Sequence, residues 1–164
     1  MKVPISTDPR SSSHPLRGLL IAQFFGAFND NAWKLMVALL AIRQATAQMT
    51  PGPELEAAAQ TQTALTFIIF TLPLMLLSLV GGTLADRLSK RTVIIAIKIV
   101  EVFLMSAGAV ALWLNPAGGI LPLIVLCGMG VHSALFGPSK YGILPELIPH
   151  KHLAAGNGLL EMWT

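Results

Sequence analysis

Four apolar runs dominate this chain, at about residues 16–42, 63–84, 92–114 and 119–143. A helix needs about 20 apolar residues to cross the ~30 Å hydrocarbon core of a bilayer. Few soluble folds are open to such a chain. A helix of an aqueous bundle keeps a polar stripe, and the second and fourth runs have almost none. Composition agrees: 12% of residues are charged and 54% are hydrophobic, with mean hydropathy +0.67, against roughly 25% charged in a soluble domain. The expected fold is all-α, a polytopic membrane helical bundle.

The connections set an orientation. Lys2, Arg10 and Arg17 precede or open the first run, and Arg87, Lys90 and Arg91 crowd the second connection. The segment after the fourth run holds Lys140 and Lys151. The first connection, residues 43–62, sets only Arg43 against Glu54 and Glu56, and Asn115–Gly118 has no cation. Cation-rich and cation-poor connections therefore alternate. By the positive-inside rule the N-terminus, the 86–91 loop and the 139–152 segment are cytoplasmic. Residues 1–15, rich in Ser and Pro, read as a disordered cytoplasmic tail. The first run is too long for a signal-peptide core and lacks an A-x-A cleavage site, so it is expected to be retained. A fifth run opens near Leu153 and stops at Thr164, the pattern of a truncated chain. Pro138 leaves the fourth helix either ending near Gly137 or continuing, kinked, towards Leu147.

Several chemistries find no support. The net charge of +3 comes from cations between apolar runs rather than an aromatic-and-basic surface, so no nucleic-acid partner is expected. Cys127 is the single cysteine and offers neither a disulfide nor a metal spacing. Gly128-x-Gly130 lies in an apolar helix, not after a strand, and is no dinucleotide fingerprint. No phosphate-binding Walker loop is present, and no His is followed by Asp at the spacing of acyl transfer. No catalytic residue, metal or cofactor is expected; an acyltransferase accompanying the chain would lie beyond Thr164.

Polar residues inside the runs are the candidates for function. Asp30 lies near the middle of the first run, where a charge costs on the order of 3 kcal/mol. Lys34 follows at i, i+4, on the same face. Either the two neutralise each other, or they line a cavity that meets a polar or zwitterionic substrate or a coupling ion. Asn29 and Asn31 point elsewhere and suit bonds between helices, with Asn31 kept as a candidate contact. Lys98 and Glu101 share a face of the third run, as an ion pair or a transport element. His132 either bonds a neighbouring helix or relays a proton.

GGTLADRLSKR, residues 81–91, resembles the signature of the major facilitator superfamily, G-x-L-A-D-R-x-G-R-K/R. Gly82, Leu84, Ala85, Asp86, Arg87, Lys90 and Arg91 match, while Ser89 replaces the usual glycine. The resemblance implies two six-helix halves built from inverted three-helix repeats. This chain would supply the first four spans and the start of a fifth of twelve. It also implies a gating role for Gly82, Asp86, Arg87, Lys90 and Arg91. FFGAFNDNAWK, LFGPSKYGILPE and AGNGLLE further resemble the lysophospholipid transporter branch, which adds Lys140 and Asn157 as secondary candidates. The implied function is alternating-access movement of lysophospholipid across the bacterial inner membrane. Membrane lipid surrounds such a protein, and some members are fused to acyltransferase and acyl-ligase domains. The rivals are a proton-coupled drug or small-metabolite facilitator and a membrane anchor for an enzyme. A channel is disfavoured because no filter-like loop repeats.

Overall fold

The computed structural model describes residues 13–164, with the side chains of residues 13–15, Ala85 and Asp86 left out. Six α-helices are present among the described residues: α1 Ser13–Thr46, α2 Pro53–Arg87, α3 Lys90–Leu114, α4 Ile120–Gly142, α5 Leu144–Leu147 and α6 Leu153–Met162. A 3-10 turn, His150–His152, joins the last two. The tail expected over residues 1–15 lies outside the described residues as far as residue 12, and the helix is already under way at Ser13.

The polar stretch 43–62, expected as a loop, is mostly helix. α1 runs on to Thr46 and α2 begins at Pro53. Proline suits the first helical position, where its missing N–H has no partner to lose. Glu54 and Glu56 follow in the first turn, where carboxylates favour the positive end of the helix dipole. Ala57, Ala58 and Ala59 then have the best intrinsic helix propensity. The basic loop shrinks in the same way. Asp86 and Arg87 end α2, Lys90 and Arg91 open α3, and only Leu88 and Ser89 lie between. Ser89 Oγ accepts the Thr92 N–H at 3.2 Å and meets Thr92 Oγ1 at 2.6 Å. The residue that departs from the superfamily pattern is thus the N-cap of α3. Of the two courses left open at Pro138, α4 takes the longer and runs to Gly142.

Pro53–Leu84, Lys90–Leu114 and Ile120–Gly142 are long and apolar enough to cross a membrane. The span expected at 16–42 is not among these. It lies in a helix of 34 residues, so length is no obstacle. Gln23, Asn29, Asp30, Asn31 and Lys34 dilute its apolar character below that of the other three. α6, at 10 residues, follows the fifth run from Leu153 to Met162.

α4 is the centre of the bundle. Its most extensive interface is with α2, followed by that with α3. Leu126 and Met129 of α4 are fully enclosed and pack with Trp33 and Val37 of α1 and Phe70 of α2. Trp33 donates from Nε1 to the Pro122 carbonyl at 3.4 Å. Its ring fills the space over Gly108 of α3, where an added Cβ would come within 2.7 Å of it. α2 and α4 touch backbone to backbone: Gly81 lies against the Ala134 carbonyl and Gly130 against the Phe70 carbonyl, leaving no room for a Cβ at either. Small residues permit such close crossings between membrane helices. Outward faces stay apolar, with Met75, Leu76 and Leu79 of α2 and Phe103 and Trp113 of α3 all exposed. That is the reverse of a water-soluble surface.

Candidate substrate cavity

Gln23, Asp30 and Lys34 of α1 fall on one helical face with Gly26 and Ala27. Ser133, Gly137 and Lys140 form the matching stripe on α4, one turn apart. Together with Phe70 and Leu74 of α2 and Lys98 of α3, these stripes enclose a cavity of about 490 Å³.

Asp30 sits in its wall. Ser133 Oγ donates to Asp30 Oδ2 at 2.5 Å, while Oδ1 is buried without a partner. Lys34 does not close an ion pair with Asp30. Its ammonium lies 4.4 Å from the centre of the Phe70 ring, within cation–π range. The two side chains are therefore near one another without a contact ion pair. The carboxylate and the amine present separate charges to the same space. Asn31 lines the cavity from the exposed side.

The second cluster lies behind the first. Lys98 Nζ donates to Glu101 Oε2 at 2.6 Å and to the Ala22 carbonyl at 2.9 Å. Asn29 Nδ2 donates to Glu101 Oε1 at 3.2 Å, so Asn29 joins α1 to α3. Glu101 is buried and does not itself line the cavity, whereas Lys98 and His132 do. Gly26 lies beside the cluster: a Cβ there would stand 2.7 Å from Lys98 Nζ, which would have to shift.

Lys140, also buried, lines the same cavity, with its ammonium 4.9 Å from the Tyr141 ring. Gln23 Nε2 donates to Thr164 Oγ1 at 2.7 Å, and its Oε1 is buried and unpartnered. The cavity thus receives three lysines, Lys34, Lys98 and Lys140, against one lining carboxylate. That balance suits a ligand carrying an anionic group beside a smaller cationic one.

Two polar cavity residues, Ser133 and Gln23, escaped the sequence reading. Both are uncharged, and nothing in a single sequence marks a serine as the partner of a particular carboxylate. Lys98, read with Glu101 as an ion pair or a transport element, turns out to be both paired and cavity-lining, and its cavity face depends on how α3 packs against α1 and α4. Asn157 is exposed on α6 and does not line the cavity.

The signature residues lie elsewhere. Arg87 and Arg91 are exposed at the α2–α3 turn. Lys90 pairs with Glu146 of α5 at 3.0 Å, tying the turn to the segment after α4. Gly82 has no atom within 4 Å of where a Cβ would stand; the tight crossing is made by its neighbour Gly81. The side chain of Asp86 lies outside the described residues.

Comparison with known proteins fits this architecture. A lysophospholipid transporter of Photorhabdus laumondii is 34% identical over 152 residues, covering 91% of this chain and 32% of the relative. The lysophospholipid transporter of Shigella flexneri is 30% identical, covering 98% of this chain and 36% of the relative. That of Salmonella typhimurium is 31% identical, covering 100% and 36%. The chain spans about a third of the length of these curated relatives. No solved structure matches it significantly. The family model described as a transmembrane secretion effector matches residues 53–162, more than half of the sequence. This chain therefore belongs to the transmembrane secretion effector family of the major facilitator superfamily.

Proposed function

We propose that this chain forms the first part of a secondary transporter that moves lysophospholipid across the bacterial inner membrane by alternating access. The observation that carries the reading is the cavity in which Asp30, Lys34 and Lys140 present unlike charges within an otherwise apolar bundle. A lysophospholipid headgroup has a phosphate and, in the ethanolamine class, an ammonium. Lys34, with Lys140 across the cavity, attracts the phosphate. Asp30, oriented by Ser133, attracts the ammonium, and Asn31 adds a hydrogen-bonding group at the rim. The names of the relatives support the same substrate.

Rocking of one half of the molecule against another around a midplane site exposes it alternately to each side. In this reading the N-terminus and the α2–α3 turn face the cytoplasm. Gly82, Asp86, Arg87, Lys90 and Arg91 belong to the gate rather than to the substrate site. The role assigned to this part of the molecule is transport and not catalysis. An acyltransferase, fused or separate, is the partner that would consume the imported lysolipid.

Headgroup-specific uptake tests the reading. Asp30→Asn in the full chain is expected to reduce uptake of lysophosphatidylethanolamine by about tenfold or more, the effect of removing a group that pairs with a buried charge. Lysophosphatidylglycerol, which lacks the amine, is expected to lose less. Unchanged uptake of both at normal expression would reject Asp30 as the headgroup residue.

A further inference from the structure

His132 is buried against α3, where the Ile97 backbone lies beside its ring, and neither ring nitrogen has a well-formed hydrogen bond. Buried polar atoms are nearly always partnered, so an orphaned ring facing a cavity calls for a reason. Its Nε2 stands 3.6 Å from Glu101 Oε2, the same oxygen that accepts from Lys98 at 2.6 Å. The His132 ring stacks on Phe136 at a centroid separation of 6.4 Å, and Lys98 Nζ lies 4.6 Å from the centre of that Phe136 ring. One carboxylate oxygen therefore has a lysine bonded to it and a histidine in reserve.

We propose that Lys98, Glu101 and His132 form a proton-controlled charge switch in the cavity wall. When His132 takes a proton, it draws Glu101 away from Lys98, and the freed ammonium turns to an anionic group in the cavity.

The step moves a single proton. A ring nitrogen lone pair of His132 binds a proton from cavity water, and the imidazolium donates to Glu101 Oε2. The Lys98–Oε2 hydrogen bond breaks, while Lys98 keeps its bond to the Ala22 carbonyl as a pivot. The cluster passes from neutral to one positive charge, and that charge is delivered on Lys98, which lines the cavity. Histidine is the side chain whose charge changes near neutral pH.

The other groups around the switch are few. α1 contributes Asn29, already bonded to Glu101 Oε1, with Asp30 and Lys34 on the cavity wall. Asp30 is held by Ser133. α2 brings only the uncharged Phe70 and Leu74 to this cavity, α3 brings Lys98 and Glu101, and α4 itself carries Lys140.

The switch deepens the headgroup reading and rests on it only where ligand binding is measured. Two readouts separate the failures. In the first, the full chain labelled with 15N-histidine is titrated in lipid nanodiscs from about pH 5 to 8. The His132 resonance is identified by its loss in His132→Gln, or in His132→Asn if the glutamine variant does not fold. Its shift is expected to change with pH, and to change over a different pH interval in Glu101→Gln. A resonance that stays constant, or one that titrates identically in Glu101→Gln, overturns the switch.

In the second readout, binding of lysophosphatidylethanolamine is expected to be about fivefold tighter at the acidic end. The two variants should then diverge. Glu101→Gln, with Lys98 permanently released, binds tightly at both extremes, and His132→Gln binds weakly at both. Variants that change in the same direction overturn the proposal, because a merely structural cluster would weaken both. If the lysolipid binds to none of the proteins, the headgroup reading fails, and the titration alone decides the switch.

Discussion

Ser89 shows a local sequence rule at work. A serine before a helical run accepts a backbone N–H that the helix cannot satisfy itself, and here the Thr92 amide supplies it. Ser89→Ala is expected to lower the stability of the detergent-solubilised chain by about 1 kcal/mol, whereas Ser89→Gly should cost only about a few tenths. Thermal unfolding followed by circular dichroism checks both; equal losses would show that the cap contributes nothing. The glycine usual at this position in the superfamily is thus compatible with the same turn. Asp30 shows the opposite case. Its oddity is plain in the sequence, because a carboxylate in a long apolar helix needs a partner or water. The partner is Ser133, 103 positions away, and the adjacent Lys34, which local spacing favours, turns to Phe70 instead. Helical spacing brings two side chains within reach but does not decide between competing partners.

Among the elements, α2 and α4 carry the bundle, and their crossing depends on glycine at two points. Gly81 and Gly130 each lie against a carbonyl of the opposite helix, and backbone cannot move aside as a side chain can. Gly81→Ala or Gly130→Ala is expected to destabilise the chain by about 1–3 kcal/mol through overpacking. Gly82→Ala is the control: with open space beside it, alanine leaves stability unchanged or raises it by up to about 1 kcal/mol. Melting in detergent checks the contrast, and equal loss at 81 and 82 would contradict the crossing. The sequence showed two adjacent glycines but not which one the neighbouring helix approaches. α1 is the element whose composition and position diverge. It is too polar to rank with the three membrane-capable helices, yet that polarity is concentrated on the stripe that lines the cavity.

The whole molecule places its connections at two ends. Residues 47–52 and Asn115–Gly118 form one set, poor in cations, and the Leu88–Ser89 turn flanked by Arg87, Lys90 and Arg91 belongs to the other. Single cysteines introduced into a Cys127→Ser background test the orientation. With a membrane-impermeant maleimide applied to intact spheroplasts, Ala47→Cys and Asn115→Cys are expected to be labelled and Ser89→Cys protected until the membrane is opened. The reverse pattern would overturn the positive-inside assignment. The large exposed apolar faces of α2 and α3 suit lipid or further helices, and water would disfavour them.

The sequence alone was enough to determine the helical class, the apolar runs and the presence of ionisable groups within them. These follow from composition and from a bilayer thickness that sets helix length. The cap at Ser89 and the start of α2 at Pro53 rest on capping and propensity, which act over a few neighbouring residues, yet neither was read from the sequence, because the polar character of 43–62 hid the helix there and Ser89 stood out only as a departure from the superfamily pattern. The partner of Asp30, the cavity face of Lys98 and the approach of His132 to Glu101 were decided by tertiary structure alone. Each depends on how α1, α3 and α4 pack around one another and on the α2–α4 crossing beside them; the absence of a Cβ at Gly81 and Gly130 sets how closely α2 and α4 approach, and Gly108 leaves room for the Trp33 ring between α1 and α3.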